Sequence, residues 1–319
     1  MTKKIIGIIA AIGILIYGIF FVTSGRQVFS ISNPFQNNVT VQHKKPSELT
    51  IGVSLSTLNN PFFISIKDGV NEVAKASGSK VQVYDGQNST NKQSNDVEDL
   101  IQKKVDVLII NPVDSSAITP EVKSANEAGI PVITIDRSSD GGKVLSLVAS
   151  DSREGGKMAA EFMIKTLGQN GKIAELQGTP GASATRERGA GFDNTAKGKL
   201  DTVTRQTANF DRTQGLNTAE NIAQAHPEIK GLFAQNDEMA LGAVQALKSN
   251  PNVIIVGFDG SEDGISSVKK GQMAATVAQK PKEMGKLAVQ AAYDYFQGKK
   301  VSSNIKSPLE LIVSDKYKS

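Results

Sequence analysis

Amide, carboxylate, guanidinium and aromatic side chains follow directly after the short apolar runs of this sequence. They lie at residues 56–63, 111, 136–137, 150–151, 210–211, 236–237, 258–259 and 279. Aromatic rings pack against the apolar C–H faces of a sugar, while planar amide, carboxylate and guanidinium groups pair with its hydroxyls, often two at a time. A buried hydroxyl without a partner costs about 1 to 3 kcal/mol, so the same groups also decide which sugar fits. This combination predicts a carbohydrate-binding site.

Each of these residues has a structural interpretation when it is taken alone. Phe62 and Phe63 would suit the core of a first helix, and an isolated Asn-Pro or Asp-Gly pair usually marks a turn. The binding interpretation depends on the whole set, because ligands of open α/β sheets meet the loops at the carboxyl ends of the strands. Their occurrence at successive strand ends favours binding.

The elements that must position these side chains alternate from residue 49 onward. Ten short β-branched apolar runs predict strands at 49–56, 81–84, 107–111, 132–135, 144–148, 172–177, 202–208, 231–235, 253–258 and 273–278. Eight amphipathic stretches predict helices at 62–77, 91–103, 116–128, 152–167, 183–197, 213–226, 237–249 and 281–297, with N-caps at Asn91, Ser116, Ser152 and Asp237. Continuous apolar runs suit parallel strands that are covered on both faces. The order predicts an α/β fold, and ten strands favour two open sheets.

The N-terminal segment differs from the rest of the chain. Residues 5–22 carry no charge and follow Lys3 and Lys4, and as a helix they cover roughly 27 Å of bilayer. We therefore expect residues 1–24 to be a membrane anchor or signal peptide, followed by a polar linker at 25–47. The run is longer than most cleaved signals, which favours an uncleaved anchor with everything after Ser24 outside the membrane. The alternative is a chain that is periplasmic or secreted after cleavage.

Composition excludes several kinds of chemistry. The chain has no cysteine, which removes disulfides, thiol nucleophiles, thiolate metal sites and a lipid-modified cysteine. Its histidines are His43, in the linker, and His226, at a predicted helix end, which leaves little for a metal site or a serine-type triad. The net charge of +4 includes Lys3 and Lys4, so the remainder gives little reason to expect nucleic-acid binding. We expect no metal and no cofactor.

Nine segments of the chain resemble one known family. They are STLNNPFF (56–63), LIINPVDSSA (108–117), IPVITIDR (130–137), VASD (148–151), GTPGASATRERGAGF (178–192), ANFDR (208–212), FAQNDEMALGA (233–243), VGFDG (256–260) and ATVAQ (275–279). In this order they are similar to the bacterial ribose-binding proteins of ABC transport, which are type I periplasmic binding proteins of the sugar-binding family. The similarity runs over residues 49–313, and nine motifs in register make it specific.

The resemblance implies a ligand site position by position. The aromatic residues that sandwich the sugar in this family match Phe62, Phe63 and Phe210. Its hydrogen-bonding residues match Asn60, Asp136, Arg137, Arg188, Asn236, Asp259 and Gln279, and none of the ten positions departs from the family pattern. Ser56, Asn111 and Ser150 are expected beside the site or near the hinge. Independently, two aspartates against two arginines give zero formal charge, which suits a neutral sugar.

The resemblance also implies an architecture and a mechanism. The fold it implies has two Rossmann-like lobes with parallel sheets and a three-stranded hinge. The N-terminal lobe would comprise residues 48–150 plus 280–308, and the C-terminal lobe residues 151–279 plus 309–319, with crossings near Ser150, Gln279 and Pro308. A sugar that touches both lobes favours their closed arrangement, which a membrane permease then recognises. The expected protein is a monomeric extracytoplasmic receptor for D-ribose or a related neutral sugar, and no enzyme.

Other functions fit the sequence less well. A transcription regulator of the lac family resembles this fold but needs an N-terminal helix-turn-helix, where this chain has an apolar segment. A glycosidase needs paired carboxylates and an acid of raised pKa, which we do not expect here. Residues 154–157 lack the earlier glycine and the following Ser/Thr of a P-loop. The closer alternatives are another pentose, a hexose or the furanosyl signal autoinducer-2 as ligand, and a tethered sensor or a chemoreceptor partner as the role.

Overall fold

Two lobes, each built on a six-stranded sheet, make up the part of the chain that the structure describes. The computed structural model describes residues 43–318. Its strands are β1 (Thr50–Leu55), β2 (Lys80–Asp85), β3 (Val107–Ile110), β4 (Val132–Ile135), β5 (Ser146–Ser150), β6 (Gly171–Gln177), β7 (Leu200–Thr207), β8 (Gly231–Ala234), β9 (Ile254–Asp259), β10 (Ala275–Ala278), β11 (Asn304–Ser307) and β12 (Glu310–Val313). Its α-helices are α1 (Pro61–Ser77), α2 (Thr90–Gln102), α3 (Thr119–Glu127), α4 (Ser152–Leu167), α5 (Ser183–Ala196), α6 (Arg212–Ala225), α7 (Asp237–Ala246), α8 (Glu262–Lys269) and α9 (Pro281–Phe296).

The two sheets have nearly the same topology. The sheet of lobe 1 has the order β11-β5-β4-β3-β1-β2, and all its neighbouring strands are parallel. The sheet of lobe 2 has the order β12-β10-β9-β8-β6-β7 and is parallel except for β12, which runs antiparallel to β10. The central strands β3 and β9 are buried along their whole length, as their continuous apolar runs require. The predicted α/β fold with two open sheets is confirmed.

The chain crosses between the lobes three times. It leaves the sheet of lobe 1 after β5, returns after β10 through α9, and crosses again between β11 and β12. Each lobe therefore contains strands from distant parts of the sequence. The positions of the lobe boundaries stay a prediction.

Helices cover both faces of each sheet. In lobe 1, α1 and α9 pack on the face that includes Val107 and Ile109, whereas α2 and α3 pack on the face that includes Leu108 and Ile110. In lobe 2, α4 and α5 cover one face and α6, α7 and α8 cover the other. Because the sheet faces are closed by helices, the strand ends remain as the place where a ligand can meet the sheet.

Glycines allow three pairs of helices to approach closely. Between α1 and α9, a Cβ at Gly69 would lie 2.0 Å from Lys282 O, and a Cβ at Gly285 would lie 2.2 Å from Ile66 O. The same reciprocal contact with backbone atoms occurs at two further crossings, α4 with α5 and α6 with α7, through Gly156, Gly191, Gly215 and Gly242. The backbones at these crossings are too close for any side chain.

Gly285→Ala is expected to lower the free energy of unfolding by about 1 to 3 kcal/mol, because the added methyl group forces α1 and α9 apart. Helix propensity acts in the opposite direction by about 1 kcal/mol. Urea titration measures the net effect. Asn71→Ala, on the exposed face of α1, is the control and should change stability by less than about 0.5 kcal/mol. A more stable Gly285→Ala variant would contradict the packing account.

Three elements and several helix starts differ from the sequence prediction. The sequence predicts neither β11 nor β12, which are four-residue strands with mostly exposed or half-buried side chains, nor the eight-residue α8. The N-caps of α2, α4 and α7 are Ser89, Asp151 and Asn236, whose side-chain oxygens accept backbone N–H groups, instead of Asn91, Ser152 and Asp237. Helix α3 begins three residues after the predicted cap Ser116. For α2, α3, α4 and α7, the spacing of apolar residues indicated the helix but did not indicate its first turn.

The predicted anchor and most of the predicted linker lie outside the described residues. At its beginning, the described chain is already bonded to lobe 1, because Lys44 N donates to Phe296 O over 3.3 Å and the Lys44 ammonium pairs with Asp106. Within residues 43–318, no helix combines the length and the apolar character needed to cross a bilayer. The role of residues 1–24 therefore stays a prediction.

Candidate functional site

A cavity between the lobes brings together the residues that the sequence predicts as ligand-binding. It is lined by Asn60, Phe62, Phe63, Asp136, Arg137, Ala184, Arg188, Phe210, Asn236 and Asp259. Five of these residues come from lobe 1 and the other five from lobe 2. The remaining predicted residue, Gln279, adjoins the cavity, since its Nε2 donates to Asp259 Oδ1 over 2.9 Å. The ten predicted positions thus form one group, and their role in binding stays a prediction.

Two of the cavity asparagines are also helix N-caps. Asn60 Oδ1 accepts the backbone N–H of Phe62 over 2.9 Å, and Asn236 Oδ1 accepts that of Met239 over 2.9 Å. Asn236 Nδ2 also donates to Phe210 O over 3.2 Å. Capping uses the side-chain oxygen and fixes the side chain at the helix start. Asn60 is therefore left with its amide nitrogen as a donor for a ligand.

Three cavity residues have left-handed backbone conformations. The φ angles are 64° at Asp136, 60° at Phe210 and 119° at Asp259. Such angles are uncommon outside glycine and cost of order 1 to 3 kcal/mol, so they persist where the surrounding structure enforces them. Asp136 directly follows β4, and Asp259 is the last residue of β9. The backbone turns at these strand ends, and the strained residues coincide with the predicted site.

Aromatic rings of both lobes contact the guanidinium group of Arg137. Its Cζ lies 5.2 Å from the ring centroid of Phe63 in lobe 1 and 5.2 Å from that of Phe210 in lobe 2. Phe62 packs edge-on against Phe63, with ring centroids 5.3 Å apart. Arg137 Nη1 donates to Pro112 O over 3.0 Å. These cation–π contacts place a planar hydrogen-bond donor between two apolar ring faces.

Arg188 lies between carboxylates of both lobes. Its Nη2 is 3.8 Å from Asp136 Oδ1, and its Nη1 is 3.8 Å from Asp259 Oδ1. Nη1 also donates to Gln235 O over 2.8 Å, and the guanidinium carbon lies 3.8 Å from the ring centroid of Phe258. At 3.8 Å the two ion pairs are too long to be hydrogen bonds, so the carboxylate oxygens keep acceptor capacity for ligand hydroxyls.

Burial changes the ionisation of the cavity residues. Desolvation raises the pKa of Asp259 well above that of an ordinary aspartate, although Arg188 opposes the shift. Desolvation also lowers the pKa of Arg137 to about 10, against the stabilising charge of Asp136. The expectation that no acid here has a raised pKa is therefore wrong for Asp259, and also for Glu187, whose pKa burial raises. Ionisation of Asp259 at neutral pH therefore lowers the free energy of unfolding of the protein.

The three residues predicted beside the site do not line the cavity. Asn111 Oδ1 accepts the backbone N–H of Ser56 over 3.3 Å, and its Nδ2 donates to Ile135 O over 2.9 Å and to Asp136 Oδ2 over 3.4 Å. These hydrogen bonds of Asn111 hold Asp136 on the side away from the cavity's lining residues. Ser150 ends β5 opposite Ser307 of β11, at the crossing between the lobes.

Some residues around the cavity are missing from the ten predicted ligand-binding positions. Ala184 lines the cavity without a functional group, so its residue type carries no signal. Phe258 packs under Arg188, but a single ring at a strand end is also typical of a core residue. Asp237 holds the loop after Asp259, because its carboxylate accepts the N–H of Ser261 over 2.8 Å and the hydroxyl of Thr276 over 2.7 Å. Its position directly after Asn236 was a usable signal.

Known proteins resemble both lobes of the chain. Residues 51–300 match the family described as periplasmic binding protein domain. The ribose import binding protein of Bacillus subtilis is 55% identical over 277 residues, which cover 85% of this chain and 91% of that protein. The ribose import binding protein of Escherichia coli is 44% identical over 279 residues, covering 86% of this chain and 94% of that protein. The solved structure of an ABC transporter periplasmic solute binding protein from Actinobacillus succinogenes, with bound D-allose, has a TM-score of 0.78 and 33% identity, and covers 85% of this chain and 99% of that one.

Proposed function

The chain belongs to the periplasmic binding protein family, and from that premise we propose that it captures D-ribose between its lobes and delivers it to an ABC transporter permease. The observation that carries the proposal is the cavity, where nine of the ten predicted residues lie together between the lobes. The two ribose import binding proteins at 55% and 44% identity support ribose as the sugar.

The chemistry of the cavity suits a small neutral polyol. Its phenylalanine rings offer apolar faces for C–H groups, its arginines and asparagines donate hydrogen bonds, and its aspartates accept them. Two aspartates and two arginines balance in formal charge, so a charged ligand gains no net attraction. Asp136 and Asp259 are each paired with an arginine, and the proposed function includes no covalent step.

Binding is proposed to close the lobes. Besides the cavity, several hydrogen bonds join them directly, among them Ser115 N to Gly181 O at 3.0 Å, Ser183 N to Ser115 Oγ at 3.1 Å, Ser138 N to Ser183 Oγ at 2.9 Å and Arg186 Nη2 to Asp140 Oδ1 at 2.9 Å. These bonds exist only when the lobes are in contact. A sugar that bonds to both lobes stabilises the same arrangement through its differential affinity for it.

Small-angle X-ray scattering tests this proposal. The radius of gyration of the protein is expected to decrease when ribose is added to saturation, because the cavity residues of the two lobes then hold the same ligand. Buffer without sugar and an equal concentration of sucrose, a disaccharide larger than ribose, serve as controls. A profile that does not change with saturating ribose would contradict capture between the lobes.

Ser183→Ala is expected to weaken ribose binding by about 2- to 10-fold, because it removes the acceptor of one hydrogen bond between the lobes. The variant should unfold at nearly the same temperature as the parent protein when no sugar is present, since the bond forms only on closure. Calorimetric titration measures the affinity. Ser124→Ala, at an exposed position of α3, is the matched control and should bind ribose like the parent protein. Equal affinities of all three proteins would contradict the role of this contact.

We also propose that the protein works outside the cytoplasmic membrane, held there by residues 1–24. The apolar run at residues 5–22 and the family membership support this location. N-terminal sequencing of the protein from a membrane fraction tests the anchor. A mature chain that begins near Gly25 would show cleavage and contradict it.

A further inference from the structure

A buried carboxylate lies behind the lobe 2 side of the cavity. Glu175, in the middle of β6, is fully buried, and desolvation raises its pKa to about 7. Its Oε1 accepts a hydrogen bond from Gln235 Nε2 over 2.8 Å. Its Oε2 lies 3.3 Å from Nε of Arg205, the residue paired with it on β7. Neither Glu175 nor Gln235 lines the cavity.

The amide of Gln235 connects three parts of lobe 2. Besides its bond to Glu175, Nε2 donates to Thr185 O over 3.3 Å, and Oε1 accepts the N–H of Gly178 over 3.0 Å. Turning the amide over would place its NH₂ group against the N–H of Gly178 and its oxygen against the carboxylate of Glu175. Both contacts would be repulsive, so Glu175 and Gly178 together fix the orientation of the Gln235 amide.

The same three connections lead to cavity residues. The backbone oxygen of Gln235 accepts the 2.8 Å hydrogen bond of Arg188 Nη1. Thr185 lies one turn before Arg188 on α5. Gly178 lies directly behind the ring of Phe210, since a Cβ at Gly178 would be 2.0 Å from Phe210 Cζ. Gln235 thus meets the backbone segments that support both Arg188 and Phe210.

We infer that Glu175 and Gln235 are positioning residues for sugar binding, which hold Arg188 and Phe210 at the cavity without touching the sugar. This inference rests on the proposed function, because it assigns a role within the same site. It explains why a carboxylate is kept in the core of lobe 2, where an apolar residue would suit the folded state better.

Three variants separate positioning from general stability. Glu175→Leu keeps most of the volume but removes one of the three partners that orient the Gln235 amide, and ribose affinity should fall at least about tenfold. Glu175→Gln retains an acceptor oxygen and should bind ribose within about threefold of the parent protein. Ile173→Ala, two residues before Glu175 on β6, should lower the unfolding temperature yet leave ribose affinity within about twofold. Gln235→Met, which removes the amide and keeps the chain length, should behave like Glu175→Leu and replaces it if that variant does not fold.

Calorimetric titration with ribose measures the affinity, and thermal unfolding measures the stability. Both are done on all the variants and on the parent protein. Loss of affinity in Glu175→Leu or Gln235→Met with rescue in Glu175→Gln supports the inference. Affinities within about threefold of the parent protein in every variant overturn it, and so does a Glu175→Gln variant as weak as Glu175→Leu. If the parent protein itself binds no ribose, the proposed function fails first, and the inference fails with it.

Discussion

Asp259→Asn is expected to weaken ribose binding at least about 100-fold, since a hydrogen bond to a charged group contributes about 1.5 to 3 kcal/mol and the carboxylate offers two oxygens. The substitution keeps the size of the side chain and can keep the bond from Gln279 Nε2, which reaches Asp259 Oδ1 over 2.9 Å. Asparagine also tolerates the left-handed backbone at this position, where φ is 119°. The loss should therefore come from the ligand contact. Calorimetric titration measures it.

The same substitution is expected to stabilise the sugar-free protein at neutral pH. Burial raises the pKa of Asp259 in the folded protein above its value in the unfolded chain. The folded state therefore favours the protonated acid, and stability decreases as the pH rises from about 4 towards the raised pKa. Asparagine does not ionise, so the unfolding temperature of the variant should exceed that of the parent protein at neutral pH. The difference should shrink as the pH is lowered through about 4, because below that pH the carboxyl group becomes protonated in both the folded and the unfolded state.

Asp263→Asn is the matched control, because Asp263 is exposed and pairs with Arg212 on the surface of lobe 2. It should alter neither the affinity for ribose nor the unfolding temperature by a measurable amount, as expected for an exposed ion pair. An Asp259→Asn variant that binds ribose within a few fold of the parent protein would remove Asp259 from the site. A variant less stable than the parent at neutral pH would contradict the electrostatic account of the cavity.

Gly178→Ala is the second variant with a large expected effect, at least about tenfold on ribose affinity. Its Cβ would lie 2.0 Å from Phe210 Cζ and 2.3 Å from Cε1, so the ring must move. On its other side Phe210 contacts Arg137, whose Cζ is 5.2 Å from the ring centroid. The ring is therefore pushed into the space that the sugar is proposed to fill. Because the side-chain ring of Phe210 moves more easily than the backbone, the fold should remain intact.

A double variant distinguishes this steric effect from a general disturbance. Phe210→Ala alone removes the aromatic face and should weaken ribose binding by about 10-fold or more. If Gly178→Ala acts only through the ring, Gly178→Ala combined with Phe210→Ala should bind ribose as weakly as Phe210→Ala alone, and no more weakly. Losses that multiply in the double variant would contradict the proposed contact.

The strand ends were the most informative part of the sequence. Continuous β-branched runs predicted buried parallel strands, and the residues after them, such as Asn60, Asp136 and Asp259, lie together around one cavity. The resemblance to ribose-binding proteins added Arg188, which lies on α5 and not at a strand end. The predicted family and fold class are confirmed, whereas the ligand contacts of the ten residues stay predictions.

What the sequence did not predict depends on local geometry and on contacts between distant segments. The left-handed backbone at Phe210 has no signal in residue type, because phenylalanine is not enriched at positive φ. Three of the four predicted helix caps were placed one or two residues late. At α7, for example, both Asn236 and Asp237 are good capping residues, and only the backbone decides between them. The link from Glu175 to the cavity joins β6 to β8, a contact that no local pattern records.

Calorimetric titration of the protein with ribose, allose, galactose, xylose and autoinducer-2 tests the central claim most directly. The account predicts one ribose per chain and an affinity at least about tenfold higher for ribose than for any other member of the panel, because each unmatched hydroxyl leaves a buried group without its partner. Absence of binding heat with ribose, or tighter binding of another ligand of the panel, would contradict a ribose receptor.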